Sequence, residues 1–90
     1  MQLEKDSRGH SYAEVENIRI TYIPAEDREE KKDWAGSDVL RIQAYKNDTD
    51  KSLFMGAELP VSCPEVFVQL VAGLCEVYST GRQLNKKSGL

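Results

Sequence analysis

The feature that most constrains this fold is one amphipathic segment near the C-terminal end of the chain. Residues 62–65 hold a serine that can cap a helix, a proline suited to the first turn and a glutamate that can reach back to the cap. Gly81 predicts the end of the helix near Thr80. On this helix of about 27 Å, seven apolar residues occupy an arc of about 140° and predict the side that packs on a sheet: Val66, Phe67, Leu70, Val71, Leu74, Val77 and Tyr78.

The apolar surface of this helix continues beyond that arc. Val68 and Ala72 lie on its flank, before the polar strip begins, so we expect a second surface to pack there. Either the N-terminal segment folds back onto the flank or a second copy of the protein covers it, and we favour the second copy. Gly73 fits close approach of another backbone, or else it is a tolerated helical glycine that costs about 1 kcal/mol.

Three segments alternate apolar and polar residues with a period of two, which predicts half-buried strands over 17–23, 39–46 and 52–59. Turn-forming residues at 47–51 favour an antiparallel hairpin between the second and the third. The predicted fold is α+β in the order β-β-β-α, with a three-stranded antiparallel sheet packed by one C-terminal helix in two layers. The faces predicted to turn inward carry Ile18, Ile20 and Tyr22 in the first strand, Leu40, Ile42 and Ala44 in the second, and Leu53, Met55, Ala57 and Leu59 in the third.

Ninety residues with 40% apolar and 30% charged side chains are typical of one soluble globular domain. Residues 1–11 are weakly patterned and are expected to fray, whereas 12–81 form the folded core and 82–90 a basic tail. The segment 25–34 is rich in helix formers, but like charges four residues apart make a mobile loop an equal alternative.

The formal net charge is -3, which is the wrong sign for a protein that binds nucleic acid by neutralising phosphates. The order of elements is similar to that of the double-stranded-RNA-binding domain, but the helix start has no basic cluster for phosphates, and no family is assigned. The N-terminal residues show no apolar run behind their charges. We therefore expect a cytoplasmic protein with neither nucleic acid nor membrane as its partner.

The chain has two cysteines and one histidine, too few for a disulfide scaffold or a four-ligand zinc set, so neither a metal nor a cofactor is expected. Asp48 and Asp50 have the spacing of the start of a calcium loop. Leu53 and Leu59, however, stand where that loop needs a glycine and a bidentate acid. A solvated hairpin tip is the preferred interpretation.

Cys63 is the one candidate for a reactive thiol, because the positive end of the helix dipole favours a thiolate. Its base would have to be His10, the only histidine of the chain. The alternative, which we prefer, is that Cys63 is a small apolar residue of the helix face. No other catalytic residue is indicated.

Three functional hypotheses follow. The first is a non-catalytic interaction or assembly module that forms a homodimer through an edge strand or the broad helix face. The second is an acidic module or inhibitor that docks on a basic surface of another protein. The third is a small ligand-binding protein or thiol enzyme with a pocket near Tyr22, Tyr45 and Cys63. For the second, the contact residues are Glu26, Asp27, Glu29 and Glu30, with Trp34 as anchor or else tucked over the sheet edge.

Overall fold

The computed structural model describes residues 1–28, 33–47, 49 and 51–87, with side chains described as far as residue 84. Its sheet has five antiparallel strands in sequential order. The α+β class, the antiparallel sheet and the C-terminal helix are confirmed, but the prediction of three strands is wrong. The elements are β1 (Glu4–Lys5), β2 (Ser11–Val15), β3 (Ile18–Ile23), a 3₁₀ helix (Ala25–Asp27), β4 (Val39–Ala44), β5 (Ala57–Pro60) and α1 (Pro64–Lys87).

The two strands that the sequence analysis missed are held by tight turns. Between β1 and β2, the Asp6 carboxylate accepts the backbone N–H groups of Arg8 and His10, each at 2.9 Å. Gly9 supplies the positive φ of +84° that this turn requires. Between β2 and β3 the turn has only two residues, and Glu16 takes a φ of 54°. Strand prediction depends on alternating apolar and polar residues. These strands are instead held by tight turns, one of them closed by the Asp6 side chain, and so the prediction missed them.

The hairpin between β4 and β5 contains a β-bulge. Tyr45 lies opposite Leu53 in an isolated bridge, and Ile42 lies opposite Ala57, so three residues on one side face two on the other. Gly56 lies inside the bulge, where a Cβ would overlap the backbone carbonyl of Ile42. Glycine is therefore required at this position for steric reasons.

The bulge overturns one sequence prediction. Leu53, Met55, Ala57 and Leu59 do not share a face, because the extra residue reverses the alternation between Leu53 and Ala57. Met55 projects into solvent with 98% of its surface exposed. Only Ala57 and Leu59 remain on the side that the prediction assigned to all four.

The helix is longer than predicted. It continues through Gly81, which shows no positive φ, and includes residues up to Lys87. The residues after Gly81 are good helix formers, and their basic charge suits a helix C-terminus. Its 24 residues correspond to about 36 Å.

The helix does not cover the sheet as the two-layer prediction required. Among the described residues, extensive contacts between elements join neighbouring strands alone. The radius of gyration is 15.6 Å, against about 12 Å for a compact domain of this length. The connection between β5 and α1 is bound to the sheet, because the Val61 N–H donates to the carbonyl of Asp38, the residue before β4, at 2.8 Å. The helix thus starts where the sheet ends.

Candidate functional site

Strands β2–β5 separate their side chains into an uncharged face and a charged one, because residues paired across neighbouring strands point to the same side. In the edge strand β1, Lys5 lies opposite Ser11 at the border of the uncharged face. On the uncharged face of β2–β5, Ser11 and the Tyr22 hydroxyl supply the polar side-chain atoms, and the other residues are apolar. Val15, Ile18 and Tyr22 are each about two-fifths exposed. We call this surface the apolar sheet face; it consists of Ala13, Val15, Ile18, Ile20, Tyr22, Leu40, Ile42, Ala44, Ala57 and Leu59.

The helix residues predicted to pack on this face are exposed as well. The exposed fraction is about two-fifths at Val66, Phe67 and Val71 and reaches 73% at Val77. Leu70 is half-buried. The first turns of α1 therefore lie close to other parts of the chain, while the later turns lie in solvent. We call the seven residues Val66, Phe67, Leu70, Val71, Leu74, Val77 and Tyr78 the helix arc.

The opposite, charged face of the sheet holds most of the small core. Thr21, Ile23 and Val39 are buried there, with no more than 3% exposure. The β1–β2 turn and the segment after β3 cover this face through side chains held by the His10–Asp27 hydrogen bond and the Arg28–Glu58 ion pair. The better-covered side of the sheet is therefore the charged side.

Glu58 on β5 is the centre of one ion cluster on the charged face. Its carboxylate accepts two hydrogen bonds from the Arg28 guanidinium, both at 3.1 Å, and two from Arg41, at 3.0 and 2.8 Å. The Arg28 side chain is only 4% exposed, and it also donates to the Asp33 carbonyl at 2.6 Å. The hydrogen bonds from Arg28, opposed by burial and assisted by those from Arg41, lower the pKa of Glu58 below its usual 4.5.

His10 is the centre of a second polar cluster. Its Nε2 lies 2.9 Å from Asp27 Oδ2, and its Nδ1 lies 3.8 Å from Asp6 Oδ2. Burial raises the pKa of Asp6, but the backbone N–H groups of His10 and Arg8 outweigh it and leave the pKa below 3.8. The histidine thus joins the β1–β2 turn to the 3₁₀ helix.

A third cluster surrounds Arg19. Its guanidinium carbon lies 4.0 Å from the Tyr12 ring centre and 5.5 Å from that of Tyr45, which is cation–π geometry. Arg19 also donates to the Tyr45 hydroxyl at 2.6 Å. A hydrogen bond with Glu14 and burial raise the pKa of Tyr45, so the phenol stays neutral at physiological pH.

An open cleft of about 750 Å³ lies on the charged face between the first two clusters. Trp34, half exposed and with a φ of 64°, and Met55 contribute its apolar atoms. The charged groups around it bond mainly to one another. These interactions fix the loops, and they account for the polar character of the cleft.

The structure does not bring together the residues of the thiol hypothesis. His10 bonds to carboxylates, whereas Cys63 is half-buried at the start of α1, where its carbonyl accepts the Phe67 N–H. The pKa of Glu65 is lowered first by a hydrogen bond from the Glu65 backbone and second by one from the Cys63 side chain. Tyr22 and Tyr45 lie on opposite faces of the sheet.

The other predicted contact residues stay in or near solvent. Val68 and Ala72 are exposed on the flank of α1, and a Cβ on Gly73 would meet nothing within 4 Å. The loop residues Glu29 and Glu30, like Asp48 and Asp50 of the proposed hairpin tip, lie outside the described residues. Within the loop, Asp27 is engaged by His10, and Glu26 is exposed.

Sequence reasoning assigned the helix arc and the apolar sheet face to one internal core, and so it missed both as surfaces. The connection of three residues between β5 and α1 has the usual length for a helix that returns onto its sheet, so no signal in the sequence separated the two outcomes. The apolar sheet face within β2–β5 contains no charged side chain, and the helix arc contains none either. Monomers rarely expose contiguous apolar patches beyond a few hundred Å².

Comparisons of the chain with protein-family profiles, with curated proteins and with solved structures give no match. Within the part of the chain that the structure describes, α1 and the 3₁₀ helix lack a stretch long and apolar enough to cross a bilayer. Nor do the described residues group three or more metal-ligating side chains.

Proposed function

We propose that this protein is a non-catalytic assembly module that forms a homodimer through its exposed apolar surfaces. The observation that carries the proposal is the exposure of the helix arc, where Leu74, Val77 and Tyr78 are all more than half exposed. An isolated amphipathic helix with such a face gains its stability from whatever covers that face.

The apolar surface is large enough to drive association. The six arc residues other than Leu70 retain on average about half of their surface, and a fully buried side chain of this type contributes about 1.5–3 kcal/mol. Covering the arc therefore contributes roughly 5–9 kcal/mol per helix, or roughly 9–18 kcal/mol for two. Association costs about 4–15 kcal/mol, so two covered helices can offset that cost.

The test is the mass in solution, measured by light scattering after size exclusion over a hundredfold concentration range. The wild-type chain should have twice the monomer mass of 10.2 kDa. The double variant Leu74→Glu/Val77→Glu should have the monomer mass, because both substitutions place a charge in the arc.

Val68→Glu is the matched control, because Val68 is 63% exposed on the flank of the same helix. It should leave the dimer intact, and here the proposal departs from the expectation, drawn from the sequence, that a second copy covers Val68 and Ala72. A dimer that Val68→Glu dissociates and the arc variant does not would place the contact on the flank instead. A wild-type monomer at every concentration would contradict the proposed function itself.

A further inference from the structure

We infer that the partner surface for each helix arc is the apolar sheet face of the second copy, so that the two chains exchange their helices. This inference rests on the proposed homodimer and adds its geometry. It is carried by two apolar surfaces on one chain, the exposed helix arc and a sheet face on which Val15, Ile18 and Tyr22 remain about two-fifths exposed.

The two surfaces match in chemistry. Ten positions of β2–β5 form the apolar sheet face without one charged side chain. The helix arc likewise consists of aliphatic and aromatic residues. A two-fold pair in which each arc packs on the other sheet covers all four surfaces at once and closes the assembly.

The two surfaces also match in size. From Val66 to Tyr78 the arc extends about 18 Å along the helix axis. Four strands at their usual spacing span about 14 Å between the axes of β2 and β5. One helix arc can therefore cross the whole apolar sheet face.

The position of α1 favours exchange over folding back within one chain. Exposure along the arc is lowest at Leu70 and highest at Val77. Among the described residues α1 makes no extensive contact with any strand, so the helix leaves its own sheet. In an exchanged pair this direction is retained, and the later turns of the helix meet the partner.

A dimer built by helix against helix is the main competing geometry, and it would leave the apolar sheet face open. The two arrangements differ in what happens when the sheet face alone is charged. Ile18 and Tyr22 suit this test, because each is already more than a third exposed and their replacement leaves the deepest core intact.

The experiment combines two variants. The sheet variant is Ile18→Lys/Tyr22→Lys, and the helix variant is Leu74→Glu/Val77→Glu. Each alone should weaken dimerisation by about 30-fold or more, as loss of an interface centre does. Mixed in equal amounts they should form a dimer, because the intact helix of the sheet variant meets the intact sheet of the helix variant, and the altered surfaces carry opposite charges.

Circular dichroism checks that both variants fold, and Met55→Lys, on a side chain 98% exposed, is the control for an added lysine. A sheet variant that remains fully dimeric, or variants that fold but do not recover the dimer on mixing, would overturn helix exchange while the homodimer stands. A wild-type chain that is monomeric throughout would instead remove the homodimer on which the exchange rests.

Discussion

Replacement of Glu58 by glutamine should destabilise the fold more than any other single carboxylate-to-amide change on the charged face. Glu58 accepts four hydrogen bonds from two guanidiniums, one of which, on Arg28, is 4% exposed. An amide keeps the shape but loses the charge, and its NH₂ group faces the donors of Arg28 and Arg41. The buried guanidinium is then left without its counter-ion.

The magnitude follows from this burial. Loss of one partner of a buried ion pair costs about 3–5 kcal/mol, but the Glu58 side chain is 28% exposed and water can replace part of the loss. We therefore expect Glu58→Gln to lower the free energy of unfolding by about 2–4 kcal/mol. For a domain of this size, that corresponds to a fall in the melting temperature of roughly 10–25 °C.

Urea unfolding at a fixed protein concentration measures this difference, with the single tryptophan, Trp34, as the fluorescent reporter in the same cleft. Glu26→Gln is the control, because Glu26 is exposed and forms no ion pair among the described residues. It should change the free energy of unfolding by less than about 0.5 kcal/mol.

The pH dependence gives a second, independent check. Because the pKa of Glu58 is lower in the folded chain than its usual 4.5, the ionised carboxylate stabilises the fold above that pH. The contribution is lost as the pH falls through the folded-state pKa. The difference between wild type and Glu58→Gln should therefore be full at neutral pH and shrink below about pH 4.5. A difference under about 0.5 kcal/mol at neutral pH, or one that stays constant into acid, would refute this account of the cluster.

Further predictions concern the turns, the bulge and the assembly. Gly56→Ala should cost more than about 2 kcal/mol, because its Cβ overlaps a backbone carbonyl, whereas Gly73→Ala should gain up to about 1 kcal/mol, as thermal unfolding by circular dichroism would measure. Asp27→Asn should weaken the anchor of His10 and accelerate amide hydrogen exchange in the β1–β2 turn, with no change in α1. The wild-type melting temperature should rise with protein concentration, and that of Leu74→Glu/Val77→Glu should not.

The sequence predicts the elements that a local pattern of residues determines, and it misses those that depend on a particular turn or bulge. The alternation in β3 and β4 was sufficient for those strands. Residues 62–65 were sufficient for the start of α1, but Gly81 did not mark its end. The β1–β2 hairpin was missed because its turn depends on the Asp6 side chain, and the face of Leu53 was wrong because one inserted residue reverses the alternation.

The candidate surfaces were harder to predict for a different reason. A period of 3.6 residues identified every member of the helix arc, but it says nothing about what covers that arc. The choice between its own sheet and another depends on the direction in which α1 leaves β5. That direction is set by tertiary contacts such as Val61 to Asp38, which no periodicity encodes.

The distribution of charge over the sheet links these results. A domain that folds alone usually buries its apolar face and leaves its charged face to water. Here the Arg28 side chain on the charged face is only 4% exposed, while Ile18 and Tyr22 on the apolar sheet face are each about two-fifths exposed. The loops can cover the charged face because oppositely charged side chains pair there. The segments that could cover the sheet therefore lie on the charged side. The apolar sheet face is then left for an element that the single chain directs elsewhere, and in the proposed homodimer a second copy supplies that element.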